Sequence, residues 1–358
     1  MNIAIIASSD APITAQSSGL KEQYIYTLAE GLYAAGNQIT IFAVAGSQLS
    51  CRLITFNFDS LDWRFENTKA ESESTRAFAE RQHAYFEAHK IISQESFDLV
   101  HDLSGHHVPV FTAGFLSVPT LTTLYTLPYA LLQSSVKLYQ GTKNYFVAIS
   151  HQLQQHWAPY SKINEIVPYA IDPNAWAYSE NALQKQAIWK GELVRENQLE
   201  LVIQACQEQD FKLWIVGPKS NQPFFDYVVE PLLGTQIEYL GDLELEAYQT
   251  YLKQASVSIV TRCETDYFAS CVIHALAAGT PVAALQDEHI QEFLTDKTGA
   301  FAEPDNQKSL EQALVEASNK DRKCCREVAV EYYSKERMIT QYSELYRKIL
   351  NKKPVQSN

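Results

Sequence analysis

The segment "DYFASCVIHALAAGTPVAA", Asp266 to Ala284, sets a carboxylate, Asp266, eight residues ahead of an imidazole, His274. It reads as a loop, a short apolar helix, then "GTPV" leading into a strand. The backbone N–H groups of Ala269, Ser270 and Cys271 would then stand at a helix N-terminus, where a phosphate can be bound. A second group is "KGELVR", in which Lys190 and Arg195 lie five residues apart and offer two cations, with Glu192 and Asn197 beside them. The third lies in the first half of the chain. There "HDLSGHH" brings His101, His106 and His107 to the end of a strand, and "TLTTLYTLPY" brings Tyr125 to the end of another. Plainer readings stand beside these. Asp266 would cap its helix and His274 would be a half-buried helix residue. Lys190 and Arg195 would be surface charges, and the histidines ordinary loop residues.

The elements that must position these residues follow from periodicity. "MNIAIIA" is a short apolar run typical of a buried parallel strand. "KEQYIYTLAEGLYAAG" has apolar residues at helical spacing and stops at Gly36, and "QITIFAVAGS" is the next strand. Glu71–Gln94 is charged and helical. "FDLVHDLSG", "VPTLTTLYT" and "NYFVAIS" read as further strands, and "HQLQQHWAPY" as a helix. The rhythm pauses at Pro168 and Pro173. It then restarts with "QAIWKG", "FKLWIVG", "IEYLGDL", "VSIVTR" and "PVAAL", each followed by a helix, and "KERMITQYSELYRKIL" closes the chain as an amphipathic helix. Strands alternating with helices predict an α/β fold of two doubly wound, Rossmann-like domains facing a cleft, with ligands beyond the carboxyl ends of the strands. The expected boundaries are 1–166, 167–333 and a helix over 334–358 that crosses back to the first domain.

Composition narrows the partners. The chain has 358 residues, more than one core usually serves, and a net charge of −13. That balance argues against nucleic acid or an anionic membrane as the main partner. A site for a diphosphate would have to be locally positive or use backbone N–H groups. The six cysteines are scattered and contain no C-x-x-C, as expected of reduced thiols in a cytoplasmic protein. The start has no basic region of a signal peptide, and no run of about 18 apolar residues suggests a transmembrane segment.

The ordered set "SSGLKEQYIYTLAEGLYAAG", "FDLVHDLS", "LELVIQA", "LWIVGP", "IEYLGDL", "HALAAGTPVAA" and "ERMITQYSELYRKI" resembles glycosyltransferase family 4, which has the GT-B fold. The resemblance spans nearly the whole chain. It implies a retaining, metal-independent transferase with no cofactor. A UDP- or GDP-linked sugar would bind mostly to the second domain and an acceptor to the first. Aligned on Phe268, the family's Glu-x7-Glu falls on Asp266, the sugar contact, and on His274, the ribose contact; its Gly falls on Ala269. The family's diphosphate-binding Arg and Lys fall on Glu192 and Asn197, and Lys190 and Arg195 could restore such a pair if the loop shifts by two residues. Gly217 and Leu240 fall on the donor side with Ser270 and Cys271. Tyr125 stands where the family often has a catalytic His, and its ordinary pKa near 10 makes it a poor substitute. Gly19 is followed by Leu20 where a second glycine is common, and Tyr169 and Ala170 replace the Asn and Gly of "NGID". His101, His106 and His107 would line the acceptor side.

Two functions follow. One is a sugar transferase with an unusual donor site. The other is a pseudoenzyme, a GT-B scaffold that partners an active glycosyltransferase. An epimerase or phosphorylase lacks the paired carboxylates or the cofactor lysine it would need.

Overall fold

The computed structural model describes residues 1–58, 73–139, 143–261 and 268–351. The chain divides into two compact units, Met1–Pro168 with the residues from Met338 onward, and Tyr169–Arg337.

The first unit runs β1 (Asn2–Ile6), α1 (Leu20–Ala34), β2 (Gln38–Ala43), β3 (Arg52–Thr55), α2 (Glu73–Gln94), β4 (Leu99–Asp102), α3 (His107–Thr112), β5 (Thr120–Leu124), α4 (Ala130–Leu138), β6 (Asn144–Ala148), α5 (His151–Trp157) and β7 (Glu165–Ile166). Among the described residues its strands form one parallel sheet in the order β3-β2-β1-β4-β5-β6-β7. β1 pairs with β2 through Ile3 and Ile39 and with β4 through Ile3 and Leu99. It is buried almost throughout, as a strand covered on both faces must be. α1 covers the sheet with Tyr24, Ile25, Leu28 and Leu32, and it ends just before Gly36, whose φ of +84° stops the helix.

The second unit runs β8 (Gln186–Lys190), α6 (Leu199–Glu208), β9 (Lys212–Val216), α7 (Gln222–Phe224), β10 (Ile237–Gly241), α8 (Leu245–Leu252), β11 (Val257–Val260), α9 (Ser270–Ala277), β12 (Val282–Leu285), β13 (Gly299–Ala302), α10 (Gln307–Ser318) and α11 (Arg322–Tyr333). Its described strands form a second parallel sheet, ordered β10-β9-β8-β11-β12-β13. Strand order reverses between β1 and β4 in one sheet and between β8 and β11 in the other. Those two points are where an open parallel sheet leaves room for a ligand. Sequence periodicity does not single out β3, β7 and β13, nor the short helices α3 and α4.

The last helix, α12 (Lys335–Asn351), begins in the second unit and continues in the first. There it buries Met338, Tyr342, Leu345, Tyr346 and Ile349. A glycine is required on α1 at Gly31, where an added Cβ would come within 2.5 Å of Ile339 Cδ1. A buried polar chain fixes the register. His101 Nδ1 lies 2.6 Å from Tyr346 Oη, and its Nε2 lies 2.8 Å from Thr123 Oγ1. Thr123 Oγ1 is also 3.0 Å from Tyr342 Oη, which in turn meets the Tyr24 hydroxyl. Tyr342→Phe removes the hydroxyl that meets both Tyr24 and Thr123, so urea unfolding should show a loss of about 0.5–1.5 kcal/mol.

Candidate functional site

In the second unit β8 delivers Lys190 to the switch point. The loop after it is pinned by backbone contact. A Cβ on Gly217, whose φ is +137°, would fall 1.9 Å from Gly191 O, so this approach needs glycine. Gly191 N donates to Val216 O, and Tyr239 Oη donates to Gly217 O at 2.9 Å. Asn197 Nδ2 donates to Glu192 O at 2.8 Å. Trp189 Nε1 donates to Thr261 Oγ1, which donates to Asn197 O at 2.7 Å. Asn197 therefore braces the loop, and Glu192 contributes its carbonyl while its side chain is exposed. Leu240, half-buried, lies where the β9–β10 register shifts between Tyr239 and Gly241.

Lys190 Nζ lies 4.4 Å from the centroid of the Tyr248 ring, a cation–π contact. Its charge also reaches His274, one turn into α9. Arg195 has other partners: Glu200, at 3.4 Å, and the face of Phe224. The two cations expected to form a shifted pair have different neighbours. Lys190 faces α9, and Arg195 is held by a carboxylate and a ring on the α6–α7 side.

α9 opens at Ala269 with φ 49° and ψ 35°, and no side chain caps it. This left-handed geometry is what glycine adopts without strain, and here an alanine adopts it. Ser270 is buried and Cys271 half-buried in the first turn. Asp266, and with it the Cys263 thiol, lies outside the described residues. Cys51, Cys206, Cys271, Cys324 and Cys325 are free thiols.

His274 is not a half-buried helix residue but is only 4% exposed. Its Nε2 lies 3.3 Å from Tyr169 Oη, and its ring is covered by Trp176 with centroids 4.4 Å apart. Phe268 packs edge-on against Tyr169. Burial first, and then the Lys190 charge, push the imidazole pKa down to about 3. Tyr169 and His274, two departures from the family pattern more than a hundred residues apart, are therefore direct partners.

In the first unit the switch point collects a cluster that sequence spacing does not reveal. Asp10, just past β1, accepts from Ser8 Oγ at 2.9 Å and pairs with Lys21 of α1 and with Arg81 of α2 at 3.5 Å. Burial raises its carboxyl, but Lys21 and the other donors outweigh this and hold it below the usual range. The one available signal is positional, because Asp10 follows the strand at which the order reverses.

His106 caps α3 by accepting from Val108 N, and its ring lies against Tyr85 and His107, with centroids 4.8 and 4.2 Å apart. Burial, with His107 and Arg81 nearby, brings its pKa down to about 4. His107 stacks on Phe78. His101 corrects the expected histidine trio. It lies in β4, fully buried, with both ring nitrogens engaged, and belongs to the core.

Tyr125 is also interior. Its hydroxyl donates to Leu103 O at 3.0 Å, and burial raises its pKa well above the ordinary value. The expectation that it faces a reacting sugar is replaced by a structural role. Gly19 has an extended φ of −73°, so no turn demands glycine there. An added Cβ would meet the Glu22 carboxylate at 2.1 Å, a contact that a shift of that flexible side chain relieves. No cluster of three or more His, Cys, Asp or Glu able to hold a metal is found among the described residues, and no described helix is long and apolar enough to cross a membrane.

Two predictions follow from this geometry. Ala269→Gly relieves the left-handed backbone and should raise stability by about 0.5–1 kcal/mol in thermal unfolding, after the greater freedom of glycine in the unfolded chain is subtracted. Burial pushes the pKa values of His101 and His274 down to about 3, while the unfolded chain titrates them near 6.5. The stability gained by keeping them neutral is complete above about pH 6.5 and is lost as pH falls toward about 3. Asp102, raised to about 6 by burial, works in the opposite direction and offsets part of this loss. The urea midpoint should therefore fall with acidification, and His274→Gln should flatten the slope by up to about 1.4 kcal/mol per pH unit.

Residues 172–335 match the family described as Glycosyl transferases group 1. A sequence comparison with curated proteins gives no significant match. Among solved structures the chain is similar to sucrose-phosphate synthase from Thermosynechococcus elongatus, with TM-score 0.74, 19% identity, and 97% and 98% of the two chains covered. It is similar to Anabaena HepE in complex with UDP, with TM-score 0.73, 13% identity and coverage of 97% and 100%. It is also similar to AviGT4, a glycosyltransferase involved in avilamycin A biosynthesis, with TM-score 0.67, 16% identity and coverage of 98% of each chain. The chain is thus folded as GT-B, and its second unit is similar to the Glycosyl transferases group 1 family over residues 172–335.

Proposed function

We propose that this protein transfers a sugar from a UDP- or GDP-linked donor to an acceptor, with retention and without a metal. The second unit takes the donor and the first unit takes the acceptor. The observation that carries this reading is the position of Lys190: an ammonium at the β8 switch point whose field reaches α9. A cation there offsets the charge that grows on a leaving diphosphate, an effect of several kcal/mol in a preorganised site. The α9 N-terminus adds backbone dipole to the same end. His274 stays neutral, so it neither competes with Lys190 for the anion nor serves as a base. Asp266 would contact the transferred sugar. On the acceptor side the Asp10–Lys21–Arg81 cluster, with His106 and His107, supplies polar groups.

A second reading, a non-catalytic partner of an active glycosyltransferase, is favoured by the Tyr169–His274 pair and the exposed Glu192 carboxylate. These fill the ribose and diphosphate positions of the family pattern with an aromatic contact and an acid.

Calorimetric titration with UDP, GDP and their sugars separates the two. Transfer requires saturable binding. Lys190→Ala should weaken that binding by about tenfold or more, whereas Arg195→Ala, whose guanidinium is held by Glu200, should change it by less than about twofold. If no nucleotide binds at millimolar concentration, the transferase reading fails and the partner reading stands. In that case Glu192→Arg, which reverses the charge at the diphosphate position, should confer measurable binding.

A further inference from the structure

Asp10 stands just past β1, where the strand order of the first sheet reverses, and it sets the charge of that place. Its Oδ2 meets the Lys21 ammonium of α1, and its Oδ1 faces Arg81 Nη1 of α2 at 3.5 Å. Glu22, the next residue of α1, is buried, and its carboxylate lies 3.7 Å from the same ammonium. In this cluster, among the described residues, two carboxylates therefore balance two cations. Asp10 and Arg81 are about half exposed, so their pairing adds little to stability. What it sets is the field that a ligand meets.

The neighbouring imidazoles leave that balance unchanged. His106 Nδ1 accepts from Val108 N at 3.2 Å, so the proton of the neutral ring sits on Nε2, which is a donor. The pKa of His106 is down at about 4 and that of His107 is lowered by burial, so neither ring is charged at neutral pH. Half-exposed ring faces stand beside these groups. Phe78, on which His107 stacks, is 45% exposed and Tyr129 is 40% exposed. The Tyr129 hydroxyl donates to Gly105 O at 3.1 Å and feels the Asp10 charge.

We propose that Asp10 makes this place selective for an uncharged saccharide as the acceptor, against one that carries a phosphate or a carboxylate. The inference rests on the reading of the protein as a sugar transferase and gives its acceptor a charge class. A sugar hydroxyl can donate to the Asp10 carboxylate and accept from Arg81 or from His106 Nε2, and the negative ring faces attract the C–H groups of a pyranose. An anionic group brought to the same place meets the Asp10 and Glu22 carboxylates and finds Lys21 already held by both. A like charge set against the wrong ligand gives specificity without a new contact to the right one.

The test is saturation-transfer NMR on the full chain with UDP or GDP present. The uncharged probes are glucose, galactose, mannose, N-acetylglucosamine and maltose; the anionic probes are glucose 6-phosphate, mannose 6-phosphate and glucuronate. The parent should bind at least one uncharged sugar saturably and every anionic one about tenfold or more less tightly. Asp10→Asn frees Lys21 and Arg81 and should raise affinity for the hexose 6-phosphates by about tenfold or more, whereas Asp10→Glu should not. Asp10 is half exposed, so Asp10→Asn should keep the parent melting temperature; if it does not, Asp10→Ser takes its place. The proposal is overturned if no sugar of either class binds, if an anionic sugar binds as tightly as the uncharged ones, or if a folded Asp10 variant gains no affinity for the phosphates. Nucleotide binding is read in the same samples. Its absence overturns the transferase reading, while the sugar preference still decides the role of Asp10.

Discussion

Every described ladder in both sheets is parallel. A parallel strand cannot be joined to the next by a tight turn, so each needs a crossover, and all carboxyl ends fall on the same edge of a sheet. The chemistry-bearing residues gather on that edge: Asp10 and His106 in the first unit, Lys190 and the α9 terminus in the second. The two reversals of strand order then decide which loops can part to admit a ligand. The close approach of Gly217 to Gly191 belongs to the same constraint, because adjacent strand ends must pass their loops over one another without side chains intervening.

Electrostatics at these edges relies on restraint more than on accumulated charge. The imidazoles of His274 and His106 have pKa values lowered to about 3 and 4 and stay neutral. The cations that remain each have a defined neighbour: Lys190 has the Tyr248 ring, Lys21 and Arg81 share Asp10, and Arg195 has Glu200. The Arg195–Glu200 pair is largely exposed, so solvent screens it and its attraction is modest.

Much of the architecture is legible in the sequence, because short apolar runs such as "MNIAIIA" and "VSIVTR" alternate with longer segments of helical spacing, the pattern of buried parallel strands. β3, β7 and β13 are not: β7 has two residues, β3 has no buried position, and β13 exposes Phe301 between buried neighbours. The site divides along a similar line. The position of α9 follows from local pattern, and so does the end of β8. The Tyr169–His274 contact does not, because it joins residues that only the tertiary fold brings together. His101 misleads for a related reason. "HDLSGHH" looks like a histidine-rich loop, but its first member lies within β4, where every residue is buried, and the other two lie beyond it. Lys190 and Arg195 look equivalent in "KGELVR" until the fold assigns a ring to one and a carboxylate to the other.

The tyrosines of α12 have a consequence for how the molecule is made. Tyr342 and Tyr346 bond to groups on α1, β4 and β5, yet they are translated only after the entire second unit. The amino-terminal sheet must therefore wait on the ribosome with His101 and Thr123 lacking their tyrosine partners, while a complete second domain emerges and folds. Vectorial synthesis, which ordinarily lets the first domain finish first, is reversed here. The first-made half is the last to be sealed, and a nascent chain stalled before Met338 would present chaperones with an open core at its older end.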